Sequence, residues 1–308
     1  MSKMADLGSR MGVAVVGIPV VLALLWLGGI FLGVLMAAAG FIGVQEFYRM
    51  SEARGARPFK TAGAVTTGLL VVLAVRTPDP LSLAPIALGI LIALTAGLFL
   101  AAIPTRWPNG TPSRDIGATI MGVMYVGIPL TFVPCLRDLP AQLHFVDTVR
   151  GFMQVPGQDV GPLTAWGTMS LVLLPLLVTW TGDGSAYFVG NAIGKNKLAP
   201  TVSPGKTVEG AVGGIAGSVL AASLVAYFWI APYPEMGISI MTAALMGAVI
   251  GAASQMGDLV ESMLKREAGV KDSGTFFPGH GGMLDRLDSL LWAFPTTWLL
   301  VWLTRFLG

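Results

Sequence analysis

The stretch LSLAPIALGILIALTAGLFLAAI, residues 81–103, decides the fold of this chain. It contains no Asp, Glu, Lys or Arg. A helix rises 1.5 Å per residue, so one of this length matches the hydrocarbon core of a bilayer, which is about 30 Å thick. We therefore predict that residues 81–103 form a transmembrane helix.

The same composition recurs along the whole chain. Of its 308 residues, 54% are hydrophobic and only 12% are charged, which excludes an ordinary soluble enzyme. We predict an all-α, polytopic bundle of about nine transmembrane helices. The predicted spans are residues 11–28, 30–47, 61–75, 81–103, 117–136, 169–189, 208–230, 238–256 and 287–307.

The basic residues predict the orientation. Lys and Arg in short loops are retained on the cytoplasmic side of a membrane. With the N-terminus inside, all but four of the 19 Lys and Arg residues fall in inner loops, the exceptions being Arg76, Arg137, Arg150 and Arg305. We predict a cytoplasmic N-terminus, an outer C-terminus, and a cytoplasmic location for the loops 190–206 and 257–286.

No soluble domain is predicted. The longest polar stretches, residues 137–168 and 257–286, are too short for an independent core. We expect a single membrane-embedded domain over residues 1–308, with N-terminal spans at 11–136 and a catalytic part at 169–308.

Glycines recur with a GxxxG spacing after the 190–206 loop. Gly210 with Gly214, and Gly213 with Gly217, follow this spacing. Small residues four apart let helices approach closely in lipid. We therefore favour helix packing over a phosphate-binding glycine loop at these positions.

One passage of the chain is densely polar. Residues 254–289, SQMGDLVESMLKREAGVKDSGTFFPGHGGMLDRLDS, contain six acids, four bases and a histidine. Hydrocarbon does not solvate charge, so each ion buried beside a membrane span needs a partner or a metal. We predict that this passage forms most of the functional site.

The spacing of the acids in this passage indicates metal binding. Asp258 and Glu261 are three residues apart, as are Asp285 and Asp288, so each pair shares a face if its segment is helical. Between the pairs, the glycines of residues 278–282 allow backbone N–H groups to approach an anion. Paired carboxylates beside basic and glycine-rich loops predict a Mg²⁺ site that also holds phosphates, although single ion pairs at an interface are the simpler alternative.

A second polar region, residues 180–210, precedes that passage. Asp183 follows a long apolar run, where a charge at the bilayer centre costs about 2.5–3.5 kcal/mol; a position near the interface is the alternative. Downstream, Lys206 with Ser203 and Thr207 forms part of a basic, hydroxyl-bearing loop that leads into a helix. Such helix starts bind phosphate, although the lysines also fit a purely topological role.

Both regions resemble one family. The elements SMLKR at 262–266, KDSG at 271–274, PGHGG at 278–282 and LDRLD at 284–288 are similar to the signature of the phosphatidate cytidylyltransferases, the CDP-diacylglycerol synthases. Asp183 and the residues from Ala186 to Gly210 resemble the family's upstream block, with departures at Ser185 and Asn191.

The resemblance implies a reaction, a cofactor and partners. CMP would pass from CTP to phosphatidate, giving CDP-diacylglycerol and pyrophosphate with the help of Mg²⁺ and a possible second cation. The expected partners are phosphatidate, CTP and membrane lipids, with no nucleic acid, and the family suggests a homodimer. The protein would be a multi-pass integral membrane protein, in the inner membrane of a bacterium, with its site facing the cytoplasm.

The resemblance also assigns roles to residues. The implied metal ligands are Asp258, Asp285 and Asp183. The catalytic set is Asp258, Asp285, Asp288, Lys271 and Asp272. The nucleotide and phosphate contacts are Ser203, Lys206, Thr207, Lys265, Arg266, His280, Gly281, Gly282 and Arg286.

Two other functions compete with this interpretation. An ion-coupled transporter also places charges inside spans, but it predicts acids near span centres in both halves, and the first 168 residues have none at the middle of a predicted span. A CTP-dependent polyprenol kinase of related architecture is closer, and only a substrate test separates it from a cytidylyltransferase.

Overall fold

The computed structural model describes residues 15, 17, 19–139, 165–231, 236–277 and 281–307, without the side chains of 165–168 and 305–307. The described chain is predominantly helical. Helix α1 covers 19–27, α2 Gly29–Ala53, α3 Lys60–Arg76, α4 Pro80–Arg106 and α5 Pro112–Leu139. Helix α6 covers Ala165–Ile193, α7 Val208–Ile230, α8 Ile240–Glu267, the short α9 Leu284–Leu287, and α10 Leu290–Leu307.

Six of the described helices are long and apolar enough to cross a membrane, judged by length and composition. They are α2, α4, α5, the Met169–Ile193 part of α6, α7 and α8, and they coincide with six of the nine predicted spans. Predicted spans 61–75 and 287–307 correspond to α3 and α10, and the first predicted span lies partly outside the described residues. The chain is thus a helical integral membrane protein, while nine spans and the orientation stay predictions.

A short β-hairpin joins α6 to α7. Strand β1, Lys197–Ala199, pairs antiparallel with β2, Ser203–Thr207, with Lys197 opposite Thr207. This hairpin departs from the all-α prediction, because strands of three and five residues carry too little alternation to be recognised in a sequence. Glu209, in the first turn of α7, accepts hydrogen bonds from the backbone N–H groups of Lys195 and Asn196 at 3.1 and 3.2 Å. The side chain of Glu209 therefore holds the base of the hairpin.

The described chain forms two compact units, each discontinuous in sequence. The first unit comprises Met1–Pro134 and Val260–Leu291. The second comprises Cys135–Leu259 and Trp292–Gly308. Of the residues predicted for the site, Lys265 and those after it up to residue 288 belong to the first unit, and those from Asp183 to Asp258 belong to the second.

Helices α2, α3 and α5 pack closely in the first unit. Tyr48 is fully buried and its hydroxyl donates to the backbone oxygen of Thr119 at 2.9 Å. Gly63 and Gly122 face the Tyr48 ring so closely that a Cβ atom at either position would overlap it. These contacts fix the part of α2 that carries the neighbouring Glu46.

Helices α6 and α7 pack along the glycines of α7 in the second unit. A Cβ atom at Gly213 would lie 2.6 Å from the side chain of Val189, and one at Gly214 would lie 3.0 Å from Cβ of Ala186. Such distances leave no space for a larger residue, since real Cβ contacts are longer. The prediction that the GxxxG spacing serves helix packing is confirmed.

Candidate active site

Lys265 connects two carboxylates in the first unit. Its Nζ atom lies 2.7 Å from Oδ1 of Asp285 and forms a second, short ion pair with Oε2 of Glu261. The exposed fractions of the three side chains are 13% for Lys265, 7% for Asp285 and 0% for Glu261. Lys265 and Glu261 are one turn apart on α8, whereas Asp285 begins 20 residues later, so the loop between α8 and α9 returns to the same place.

The Asp285 carboxylate accepts hydrogen bonds on both oxygens. Oδ1 takes the bond from Lys265, and Oδ2 accepts from the backbone N–H groups of Ser273 at 2.9 Å and Gly282 at 2.7 Å. Burial acts to raise the pKa of Asp285, but the bonds from Lys265 and Gly282 outweigh it and hold the pKa below its usual value. Asp285 is therefore ionised at neutral pH, as a metal-binding role requires.

Gly281 and Gly282 let the backbone approach Asp285. Gly281 has a φ of +83°, which L side chains rarely adopt, and a Cβ atom there would lie 2.6 Å from Oδ2 of Asp285. The N–H of Phe277 donates to the oxygen of Gly281 at 2.9 Å and closes the loop. Gly281 and Gly282 thus lie close to a carboxylate of the chain itself, while their approach to a phosphate stays a prediction.

A third carboxylate of the first unit, Glu46, was not predicted as a site residue. Glu46 of α2 is fully buried, and its oxygens accept hydrogen bonds from the backbone N–H of Met283 at 3.1 Å and of Leu284 at 2.8 Å. The hydroxyl of Ser273 lies 3.1 Å from Glu46 Oε2. These partners follow Glu46 by more than 220 residues, so local sequence carries no sign of them; the one available signal was an acid at the end of an apolar run.

Lys206 and Asp258 form the corresponding pair in the second unit. Lys206 Nζ lies 2.6 Å from Asp258 Oδ2, with exposed fractions of 26% and 31% for the two side chains. Asp183 is exposed on α6 and interacts electrostatically with both residues. Three predicted residues from three elements, α6, β2 and α8, are thus brought together.

Ser203 and Thr207 lie at the two ends of β2. The Thr207 hydroxyl accepts a hydrogen bond from the N–H of Gly210 at 3.1 Å and so caps α7. Ser203 is half-buried at the hairpin turn, opposite Ala199. Thr207 therefore has a local structural role, and its phosphate contact stays a prediction.

The acid pairs have the predicted spacing but different surroundings. Asp258 and Glu261 both lie on α8, yet Asp258 pairs with Lys206 and Glu261 with Lys265. Asp285 lies in the first turn of the short α9, and Asp288 follows that helix with helical backbone angles. Asp288 interacts electrostatically with Glu261, which brings a further predicted residue to the first-unit cluster.

Four of the remaining predicted residues lie in the loop that joins α8 to α9 or on the adjoining ends of these helices. Arg266, Lys271, Asp272 and Arg286 are exposed. Because they are exposed, these side chains are accessible to a soluble ligand. His280 lies outside the described residues, and its predicted role stays a prediction.

The chemistry of both clusters fits a divalent cation. Mg²⁺ prefers carboxylate oxygens. Asp183 and Asp258 supply them beside the cation Lys206, and Oε1 of buried Glu261 has no hydrogen-bond donor within the described residues. No group of three or more His, Cys, Asp or Glu residues within the described chain is arranged as a complete metal site.

The chain is similar to known proteins along most of its length. The profile of the Cytidylyltransferase family matches residues 8–304. A phosphatidate cytidylyltransferase of Synechocystis sp. is 33% identical over 293 residues, which cover 94% of each chain. That of Bacillus subtilis is 32% identical over 301 residues, covering 97% of this chain and 98% of its own, and that of Brucella suis is 33% identical over 291 residues, covering 94% and 90%.

Proposed function

Because this chain belongs to the Cytidylyltransferase family, we propose that it is a CTP:phosphatidate cytidylyltransferase of phospholipid biosynthesis. A phosphate oxygen of phosphatidate attacks the α-phosphorus of CTP, a new P–O–P bond forms, and the bond from the α-phosphorus to the β-phosphate oxygen breaks. The products are CDP-diacylglycerol and pyrophosphate. Phosphatidate is already an anion at neutral pH, so the reaction needs charge neutralisation more than a strong general base.

Acidic residues of each unit are proposed as cation ligands. In the second unit, Asp183 and Asp258 would hold Mg²⁺; in the first, Asp285 would bind a cation, with Asp288 and Asp272 as accessory catalytic acids. When bound, Mg²⁺ would offset the repulsion between two polyanions and stabilise the transition state. The short contacts of Lys206 and Lys265 to these acids support their placement beside the reacting phosphates.

Basic and small residues are proposed to hold the nucleotide phosphates. Lys271, Arg266 and Arg286 are exposed and positively charged, which suits a triphosphate or the departing pyrophosphate. The other proposed contacts are Ser203, Lys206, Thr207, Lys265, His280, Gly281 and Gly282.

The membrane environment suits the lipid substrate. The acyl chains of phosphatidate would enter from the inner leaflet, which accounts for a nucleotide enzyme built from transmembrane helices. We propose that the site faces the cytoplasm, where CTP is found, and that the protein lies in a bacterial inner membrane, as its bacterial relatives suggest. A homodimer is proposed from the family resemblance alone.

The single observation that carries the proposal is the convergence of Lys265 on Asp285. Two signature residues 20 positions apart meet at 2.7 Å, and backbone N–H groups of the same loop complete the contact. A transporter has no need for a carboxylate fixed by the backbone amides of Ser273 and Gly282 beside exposed basic residues. A phosphoryl-group enzyme does, because such an arrangement positions charges before the substrate arrives.

The test uses CTP labelled at either the α- or the γ-phosphate. Purified protein in detergent micelles is given phosphatidate and Mg²⁺, and the lipid fraction is counted. A cytidylyltransferase transfers the α label into lipid and releases the γ label as pyrophosphate. A polyprenol kinase, given polyprenol in place of phosphatidate, transfers the γ label instead.

Matched variants connect the reaction to the site. Asp285→Asn is expected to lower lipid labelling by at least about 100-fold, since it removes a charge that faces the reacting groups. Asp79→Asn is the control, because Asp79 caps α4 on the surface and Asn caps equally well. Absence of α label in lipid from folded parent protein, across several divalent metals and acyl chains, would refute the proposal.

A further inference from the structure

We propose that Glu46 is a positioning residue for the reaction, a role that rests on the proposed function. Its carboxylate accepts hydrogen bonds from the backbone N–H groups of Met283 and Leu284 and contacts the Ser273 hydroxyl, and it thereby keeps Asp285 oriented toward Lys265. Glu46 lies on α2, far in sequence from the signature, and it does not contact Lys265 in the hydrogen bonds of the described residues.

The contacts of Glu46 lie immediately before Asp285. Oε1 accepts from the N–H of Met283 at 3.1 Å, and Oε2 accepts from the N–H of Leu284 at 2.8 Å. Both oxygens are used, so the carboxylate fixes two consecutive peptide units rather than one. The next residue is Asp285, whose direction is set by the peptide that Glu46 holds.

Ser273 connects Glu46 to Asp285 directly. Its Oγ atom lies 3.1 Å from Glu46 Oε2 and 2.9 Å from Asp285 Oδ2, and it accepts from the N–H of Asp285 at 3.2 Å. A serine hydroxyl has one hydrogen and gives it to one acceptor at a time. If Asp285 Oδ2 takes a cation, Ser273 still has Glu46 as an acceptor and keeps its position.

Two glycines of the loop leave space only for this carboxylate. A Cβ atom at Gly274 would overlap Oε1 of Glu46 and lie 2.6 Å from its Cδ, and one at Gly282 would overlap Oε2. The loop is therefore shaped around Glu46 on two sides. A carboxylate whose only purpose was local packing would not require glycines from a segment more than 220 residues away.

The free-energy cost of burying the Glu46 carboxylate supports the same role. Glu46 is 0% exposed within a candidate membrane span, where a carboxylate is costly unless it is fully hydrogen-bonded. An apolar residue of similar volume generally stabilises such a position more than a buried ionic group does. The charge therefore indicates a requirement of the loop and of Asp285 rather than of the helix.

The first experiment measures hydrogen–deuterium exchange of Glu46→Gln in the absence of metal and nucleotide. Gln keeps the shape of the Glu46 side chain, but its NH₂ group replaces one of the two oxygens that accept from Ser273, Met283 and Leu284. At least one of these donors then faces another donor. A lost bond of this kind corresponds to about a tenfold rise in amide exchange for peptides covering residues 281–287, with little change in α3 and α4. Glu52→Gln is the matched control, because Glu52 lies on the same helix and is exposed.

The second experiment separates kcat from KM. For Glu46→Gln, kcat is expected to fall by at least about tenfold while the KM values for CTP and phosphatidate change less than about threefold, because Glu46 does not touch substrate. Gly274→Ala displaces the Glu46 carboxylate without removing its charge. This variant is expected to give the same rise in amide exchange at residues 281–287 and the same fall in kcat.

The outcomes are distinct. Faster amide exchange confined to residues 281–287, together with a selective loss of kcat in both variants, supports the proposal that Glu46 positions Asp285. Unchanged exchange at residues 281–287 in both, or loss of protection throughout the chain in Glu46→Gln while Gly274→Ala behaves like the parent, overturns it. The exchange measurement decides the positioning even if the parent forms no CDP-lipid, a result that would refute only the proposed function.

Discussion

Replacing Lys265 with Met tests the charge balance of the first unit. Met matches the length of the lysine side chain and removes its charge. In the parent, Lys265 Nζ pairs with Asp285 and with Glu261, and both acids are almost completely buried. The variant would leave two carboxylates without their common cation.

The expected cost follows from burial rather than from the number of ion pairs. Removing one partner of a buried pair costs about 3–5 kcal/mol, because the remaining charge stays desolvated. For a chain of this size that corresponds to a fall in Tm on the order of 10 °C. Lys60→Met is the matched control: Lys60 pairs with Glu52 at 2.7 Å, but both side chains are more than a third exposed, and such pairs contribute less than about 1 kcal/mol.

Thermal unfolding in detergent with a thiol-reactive fluorescent dye provides the assay. Cys135 is the only cysteine in the chain and is buried, so the dye reports its exposure on unfolding. Lys265→Met combined with Glu261→Gln is expected to recover part of the lost stability, since one uncompensated charge is removed. A Tm within about 2 °C of the parent for Lys265→Met, with no recovery in the double variant, would show that the ion pairs carry no net stability.

Lys265→Met should also reverse the way in which Asp285 makes stability depend on pH. In the parent, Asp285 has a pKa below its ordinary value, so its stabilising contribution is complete above about pH 4 and is lost as the pH falls through the lowered pKa. Without Lys265, burial still raises the pKa of Asp285, whereas the largest influence that lowers this pKa is gone. We therefore expect the pKa of Asp285 in the variant to lie above its ordinary value. Lys265→Met should therefore gain stability relative to the parent as the pH falls from 8 toward 5, and a constant difference over this range would contradict the assignment.

Two further perturbations test the second unit. Gly213→Ala should destabilise the protein by about 1–3 kcal/mol, because the added Cβ meets Val189, whereas Gly89→Ala in open space on α4 should be neutral or stabilising; Tm values in detergent check both. Lys206→Gln should raise the KM for CTP by roughly tenfold or more, since it removes a charged donor beside Asp258, and steady-state kinetics over a CTP range would show an unchanged KM if Lys206 does not meet phosphate.

The fold was largely predictable because membrane spans are determined by local composition. Residues 81–103 specify a helix by apolar length alone, and α4 covers them completely. The hairpin at 197–207 was not predicted, because Pro200, Pro204 and Gly205 interrupt any strand pattern. Local composition thus determines long helices in lipid, while short strands depend on contacts such as those of Glu209.

The site was predictable where its residues are close in sequence. Lys265, Asp285 and the glycines lie within one signature, and the loop returns them to a common point. Glu46 was not predictable, because nothing near it distinguishes a buried acceptor from an acid at the edge of a span. Only the folded chain shows that its acceptor atoms satisfy donors more than 220 residues away.

The charges of the two clusters affect how the anionic substrates approach. In the first unit Lys265 faces Asp285 and Glu261, and in the second Lys206 faces Asp258 and Asp183, so each lysine faces two acids. CTP and phosphatidate are both anions, and neither gains from approaching surplus carboxylates in a low-dielectric surrounding. A divalent cation held by Asp258 or Asp285 would offset this repulsion, which supports the proposal that these acids are cation ligands.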